Sequence, residues 1–400
     1  MEGKGGVTMK VRKINGSERF DAYLISAYCF HNRIDDVESE RQRIEGETIE
    51  DWGAFTDDGT LAARIINNKF TFYLDGQPVS AGGIGAVSTL PEYREEGAIR
   101  EIFRELLPES YRSGEVISAL FPFNHAFYRK QGYEVVTFQS NYELKPALLT
   151  GYKFDGKVTR WNPGEPVDEY LKIYQKFAAN YNFAMIRDEK TMMEHMKVEK
   201  LYQERKFSYL FSKNGENIAY LIFTDIRHDP AAILHVEECA WLSRDGFYAI
   251  LAFLGRFDAD YGNIELKLPY GIDLLRLIRT PRAYEIQKTC RFDFMVRVIN
   301  AKKLLEIIKK PADCDFTIKI SDDLIPENNG VFHVTAESVN LVNDIKRPDF
   351  VVSHRALSQM AVGCINLDEA MLRPDVEING NEEMLRRVFM EKKIYVGEYF

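Results

Sequence analysis

The stretch from Val79 to Arg100, VSAGGIGAVSTLPEYREEGAIR, constrains the fold of this chain more than any other. Its first half is apolar and built of small residues, which suits a central strand with close neighbours. Pro91 breaks that strand. An Arg94-x-x-Gly97 loop follows, and then Ala98 to Leu107 carries Ile99, Ile102, Phe103 and Leu106 at helical spacing. A strand, loop and helix in this order aim the backbone N–H groups of Glu95, Glu96, Gly97, Ala98, Ile99 and Arg100 at one point. Such a nest at a helix N-terminus binds pyrophosphate through hydrogen bonds and the helix dipole. The same segment also fits a strand–turn–helix that holds no ligand. Two other phosphate readings fail. Ser88 stands where a Rossmann fingerprint starting at Gly83 needs its third glycine, and Pro91 interrupts the helix start. No Gly-x-x-x-x-Gly-Lys-Ser/Thr occurs, which excludes a P-loop.

Around this segment the first 145 residues read as mixed α/β. Residues 17–31 place Phe20, Leu24, Ala27 and Tyr28 on one helical face. Asp57-Asp58-Gly59 and Asp75-Gly76 read as hairpin turns. A strand over 116–121, a short helix near 124–131 and a final strand over 133–144 complete the block. Residues 151–164 are turn-rich and read as a linker. Residues 165–290 repeat the same alternation, with a helix near 167–181, strands near 207–225 and 232–242, a helix near 246–258 and a strand over 264–268. From about Phe292 a strand runs directly into a helix, and Glu327-Asn328-Asn329-Gly330 signals a turn before a strand over 331–334. With 400 residues and roughly 150 per domain, three domains are expected: 1–150, 151–290 and 291–400.

Lys and Arg total 52 against 61 Asp and Glu, a net charge of −9, which argues against nucleic-acid or anionic-membrane partners and suits a cationic small molecule. No apolar run approaches the roughly 18 residues that span a bilayer. The N-terminus lacks the apolar core of a signal peptide. Five scattered cysteines without a Cys-x-x-Cys pair fit a reducing cytoplasm and argue against a disulfide framework or thiolate zinc.

About 30 residues beyond the loop comes Phe121-Pro-Phe-Asn-His-Ala-Phe-Tyr128-Arg-Lys-Gln-Gly132-Tyr133-Glu134. Together, Val87-x-x-x-Pro91-x-x-Arg94-x-x-Gly97 and Phe127-Tyr128-x-x-x-Gly132-Tyr133-Glu134 resemble the acetyl-CoA-binding half of the GNAT N-acyltransferases. Two GNAT-like blocks with mixed sheets, followed by a sterol-carrier-protein-like α/β domain, resemble over the whole chain the enhanced intracellular survival (Eis) acetyltransferases. That resemblance implies acetyl-CoA as cosubstrate, amine acceptors such as aminoglycosides or lysines, and a homohexamer. It implies that Val87, Ser88 and Thr89 form a splayed strand pairing with the pantetheine arm. Arg94 and the 95–100 loop would hold the pyrophosphate, and Phe123 and Asn124 would line the cofactor near its thiol. Tyr128 would protonate the departing thiolate, and the carboxylate of Phe400 would accept the amine proton. Glu95 and Glu96 depart from the family, whose members often carry Arg there. Two carboxylates beside a diphosphate weaken binding unless they turn to solvent. The middle block reads as a degenerate copy, since it has no second Arg-x-x-Gly loop followed by a Tyr at the right distance.

The proton chemistry sets requirements. A phenol, with a pKa of about 10, is neutral at about pH 7 and can protonate or hydrogen-bond a developing thiolate, whose conjugate acid lies at about 8.5. A C-terminal carboxylate at about 3.5 is a weak base for an ammonium unless burial raises it, water relays the proton, or the amine is already depressed. Asp35 and Asp36, with Glu38 and Glu40, read either as a solvated helix face or as a cation-attracting wall of the acceptor pocket. Glu398, two residues before Phe400, is the stronger substrate anchor. His228, His235, Glu237, Glu238 and Cys239 could suggest a metal, but if 232–242 is a strand, His235 and Glu237 share one face and His228 lies beyond a turn, so a half-exposed strand is the reading and no metal is expected. His125 reads as a surface or packing residue. Ser-His-Asp catalysis has no Gly-x-Ser-x-Gly elbow to stand on. Two alternatives are a lysine or polyamine acyltransferase, and a non-catalytic protein whose C-terminal domain carries an apolar ligand.

Overall fold

The computed structural model describes residues 9–47, 49–136, 139–198, 205–228, 231–278 and 284–400. The N-terminal block contains β1 (Lys10–Lys13), α1 (Arg19–Cys29), α2 (Val37–Gly46), β2 (Glu50–Phe55), β3 (Leu61–Leu74), β4 (Gln77–Thr89), α3 (Ala98–Arg112), β5 (Ile117–Leu120), α4 (His125–Arg129), β6 (Glu134–Val135) and β7 (Gln139–Leu144). Next come β8 (Lys157–Arg160), α5 (Asp168–Ala178), α6 (Glu189–Met196), β9 (Lys206–Lys213), β10 (Glu216–His228), β11 (Ala231–Trp241), α7 (Arg244–Leu254), β12 (Asn263–Pro269) and β13 (Ile286–Arg291). The C-terminal part holds β14 (Met295–Val298), α8 (Ala301–Ile307), β15 (Asp315–Ser321), β16 (Gly330–Thr335), β17 (Val339–Val342), β18 (Phe350–Ser353), α9 (His354–Ala361), α10 (Leu367–Ala370), β19 (Val376–Ile378) and α11 (Glu382–Val388).

These strands form three sheets, ordered β1-β2-β3-β4-β5-β14-β6, β13-β7-β12-β11-β10-β9-β8 and β17-β16-β15-β18-β19. The sheets exchange strands across the boundaries expected near 150 and 290. β7, from the first block, lies in the second sheet between β13 and β12. β14, from the last block, lies in the first sheet between β5 and β6. The continuous strand expected over 133–144 is thus two strands serving two sheets. Short apolar segments of this kind carry no local mark of their partner, because strand pairing is a long-range choice.

Local signals fare better. Asp75 and Gly76 both adopt positive φ (52° and 81°), as the two-residue turn joining β3 to β4 requires. α3 buries Ile99, Ile102, Phe103, Leu106 and Leu107 against the first sheet and runs on through Pro108 to Arg112. α1 is rotated from the expected face: Phe20 and Ala27 are buried with Ala22 and Ile25, while Leu24 and Tyr28 are exposed. The turn-rich segment expected as a linker contains the edge strand β8.

The other face of the first sheet shares one core with the third. Phe72, Val79, Ala119 and Val296 pack with Ile318, Phe350, Leu357 and Ile394. The last residues of the chain run out of this shared core toward β4.

Candidate active site

In the first sheet β4 pairs parallel with β5 only from Ala81↔Ile117 to Ile84↔Leu120. Its register on β3 then shifts between Arg64 and Ile66, and Ala86, opposite the shift, takes a left-handed φ of 50°. Such a bulge bends its strand and re-aims the residues beyond it, so Val87 to Thr89 diverge from β5. A buried network fixes the divergence. Ser88 Oγ meets Ser26 Oγ at 3.1 Å, Arg64 donates to Ser26, and Arg64 pairs with Asp51 at 2.8 Å.

The 90–97 segment carries the chain from the split strand to α3. Glu95 (φ 70°) and Gly97 (φ 84°) are both left-handed, and Gly97 is the N-cap of α3, with no side chain to occupy the free N–H groups. A Cβ there would lie 2.7 Å from Arg100 Nη2. A cleft of about 780 Å³ opens between the split strand, this loop and α4. Val87, Ser88, Thr89, Arg94, Glu95, Gly97, Ala98, Ile99, Arg100 and Phe123 line it, together with Phe127 and with Cys29, Phe30, Tyr93, Lys130 and Gln131, which the sequence did not single out. Of the two unusual carboxylates, Glu95 lines the cleft and Glu96 does not. Asn124 is not among them either; its side chain caps α4 by accepting from Phe127 N at 3.1 Å.

Tyr128, on α4, is 2% exposed and ringed edge-on by Phe103, Phe123, Phe127 and Tyr133 at centroid distances of 5.2–6.5 Å. Burial raises its phenol well above the ordinary value, so it holds its proton throughout the neutral range.

The chain's last residues reach the other side of the split. Ile394 bridges to Asn182 and Tyr270, and Tyr395 N donates to Asn182 O at 3.0 Å. Tyr399 stacks on Phe121 at 4.4 Å, and the Phe400 ring packs against Phe70 (4.8 Å), Phe121 (5.4 Å) and Phe72 (6.5 Å). Gly83 and Gly85, one pleat apart on the same face of β4, make room for it. A Cβ on Gly83 would lie 2.7 Å from the Phe400 ring; one on Gly85 would lie 3.6 Å from the Phe400 carboxyl carbon. The carboxyl group therefore rests on β4 at the last residue before the left-handed Ala86.

Glu398 enters a buried ionic cluster. Arg187 Nε donates to its Oε1, while the two Nη atoms of Arg187 grip Glu238 at 2.9 and 2.6 Å. Tyr220 and Tyr395 hydroxyls also donate to Glu238, and the Arg187 guanidinium lies 3.8 Å over the Tyr174 ring. Burial opposes ionisation of Glu238, but Arg187 holds it well below the usual carboxylate range. For Glu398 burial prevails, helped by Glu238 and opposed by Arg187, and its carboxyl is raised. Its Oε2 is buried and has no partner among the described residues. One cation thus serves two carboxylates.

The remaining candidates lie elsewhere. Asp36 caps α2, accepting from Glu38 N and Ser39 N at 3.1 Å, and Asp35 is exposed beside it. His125 Nε2 meets Phe292 O, and His235 pairs with Glu265. The His228 side chain lies outside the described residues, among which no group of His, Cys, Asp and Glu could hold a metal ion. Arg187, the aromatic bed of Phe400 and the paired glycines gave no separable signal in the sequence. Glu238 stood out only as part of the rejected metal cluster.

Residues 10–136 match the acetyltransferase (GNAT) domain family, and residues 299–397 match the sterol carrier protein domain family. The chain therefore carries a GNAT acetyltransferase domain joined to a sterol carrier protein domain. Its overall fold is that of three solved structures. A probable N-acyltransferase from Enterococcus faecalis superposes with a TM-score of 0.85 at 19% identity, and a GCN5-related N-acetyltransferase from Anabaena variabilis with 0.83 at 19%; each covers 98% of this chain and 100% of its own. Eis1 from Mycobacterium abscessus superposes with 0.82 at 16%, with the same coverage. Among curated protein sequences nothing matches.

Proposed function

We propose that the protein is an acetyl-CoA-dependent N-acetyltransferase acting on amines of polycationic small molecules, aminoglycosides foremost. The observation that carries this reading is the Phe400 carboxyl resting on Gly85, where β4 turns away from β5 to open the cleft. Acetyl-CoA supplies an activated acetyl thioester. Val87 to Thr89 present unpaired strand edge for an amide-bearing arm, and the 95–100 backbone with Arg94 and Arg100 receives a diphosphate. The Phe400 carboxylate accepts the proton the attacking amine loses. Tyr128, kept protonated by burial, gives a proton to the leaving thiolate. Glu398, with an unpartnered oxygen, anchors a second ammonium of the acceptor, and Asp35 and Asp36 draw cations toward the mouth. By resemblance the chain assembles as a homohexamer in the cytoplasm, which light scattering of the purified protein would test.

A thiol-release assay with acetyl-CoA against aminoglycosides, polyamines and lysine peptides tests the reading. Turnover is expected fastest with aminoglycosides. Preference for polyamines or lysine peptides would transfer the same chemistry to those acceptors, and no turnover with any amine would overturn it.

A further inference from the structure

Away from the cleft, a second cavity of about 290 Å³ lies where the C-terminal end of α4, β14 and the N-terminal end of α9 converge. A water takes about 30 Å³, so a polyatomic anion fits. Arg129, Lys130, Arg297 and Arg355 line the cavity, and Asp323 is the one carboxylate among the described lining residues. Arg297 is fully buried on β14. Its Nη2 meets Asp322 at 2.6 Å, but its Nε and Nη1 have no partner among the described residues. Asp322 is itself saturated, accepting also from Leu324 N, Ile325 N and Asn328. His354, 6% exposed, has an Nε2 with no partner among them either. Gly132, at φ 86°, sits against both groups: a Cβ there would collide with Arg297 Nη1 and His354 Nε2. Ser353 caps α9 through Ala356 N, leaving the first two N–H groups of that helix, those of His354 and Arg355, without helical partners.

Unpaired buried guanidinium N–H groups are costly unless something accepts from them. We propose that this cavity is a binding site for a phosphate group, separate from the cofactor cleft and, among the described residues, sharing only Lys130 with it. Arg297 and Arg355 supply charge-assisted donors to its oxygens. His354 adds selectivity. Its Nδ1 faces Ser321 O at 3.2 Å and so bears the proton. Burial and the neighbouring Arg297 push the imidazolium pKa down to about 4, so at neutral pH Nε2 is a bare acceptor. A hydrogen phosphate can donate to it and a sulfate cannot. The group can come from free phosphate or from a phosphomonoester, the 3′-phosphate of CoA included.

Calorimetric titration with inorganic phosphate, with sulfate at matched ionic strength as control, tests the site in wild-type, Gly97→Asp and Arg355→Glu proteins. Phosphate should bind wild type and Gly97→Asp alike, bind Arg355→Glu at least ten-fold more weakly, and outcompete sulfate. Binding lost in Gly97→Asp but kept in Arg355→Glu would place phosphate in the cofactor cleft and overturn the proposal. Acetyl-CoA and 3′-dephospho-acetyl-CoA identify the source. A penalty for losing the 3′-phosphate that disappears in Arg355→Glu assigns the cavity to the cosubstrate. An equal penalty in both proteins, with free phosphate still sensitive to Arg355→Glu, assigns it to a separate phosphate. Insensitivity of both readouts to Arg355→Glu refutes the site.

Discussion

The chain builds the same unit twice and opens it once. In each of the first two sheets a strand runs into a helix and back into a parallel neighbour over four paired residues. These are Ala81–Ile84 with Ile117–Leu120 in the first, and Ile233–Val236 with Asn263–Leu266 in the second. In the first, residues 90–97 separate β4 from α3, and the N-cap is a left-handed glycine that leaves the helix N-terminus free. In the second, only Leu242 and Ser243 separate β11 from α7, and Ser243 fills the N-terminus by accepting from Gly246 N at 3.2 Å. Past the paired stretch, β4 borders a cleft, whereas β11 sends Glu238 into the Arg187 cluster, where Tyr395 meets it. A binding site therefore depends less on the strand–helix–strand unit than on the length and cap of one loop, and on whether the protein's own side chains fill the gap.

Breaking the open copy should have the largest effect. Tyr128→Phe is expected to lower kcat by roughly 10²–10⁴-fold, the range for a lost general acid, with acetyl-CoA affinity nearly intact. Because burial raises the Tyr128 pKa above its ordinary 10, the proton is lost only at higher pH. The wild-type pH–rate profile should thus show no descending limb from this group up to about pH 10. Turnover equal to wild type in the Phe variant would remove Tyr128 from the chemistry. Gly97→Asp should weaken acetyl-CoA binding, read by calorimetry, by at least about ten-fold, because a carboxylate and a strained left-handed residue replace a bare backbone. A wild-type dissociation constant would show that the loop holds no phosphate.

The filled copy predicts smaller changes. Glu398 is disfavoured as an anion by burial, so the fold is less stable with it ionised, above its ordinary pKa, and gains as pH falls. Glu398→Gln should therefore leave the melting temperature unchanged or higher, while raising KM for polycationic acceptors more than it lowers kcat. A lowered melting temperature with unchanged KM would make Glu398 a purely structural partner of Arg187. Ser243→Ala should cost about 1 kcal/mol of stability through its lost cap and leave acetyl-CoA affinity untouched. Altered cofactor affinity in that variant would mean the second copy is not closed.

The open copy was legible in the sequence because its parts are local. Pro91, Arg94, Gly97 and the apolar face of α3 lie within one short segment, and Tyr128 stands in its own motif. The α1 face is misread because Ala22 and Ile25 offer a second apolar stripe beside that of Phe20, Leu24, Ala27 and Tyr28, and the helix buries the second. The strand exchange by β7 and β14 was hidden for a different reason. Nothing in QSNYEL or MVRV says which of three sheets it will join. The Arg187–Glu238–Glu398 cluster joins residues from a loop, a strand and the last residues of the chain, and only the folded backbone brings them together.

The role of the Phe400 carboxyl as proton acceptor is the claim most directly open to test. Two proteins should be compared with the wild type, one lacking Phe400 and one extended by a short peptide after it, for acetyl-transfer rate, acetyl-CoA affinity and melting curve. Near-normal melting and cofactor affinity are expected, with acetyl transfer down at least about 100-fold, the lower range for a lost general base. Full activity in the extended protein with an unchanged melting curve would contradict that role.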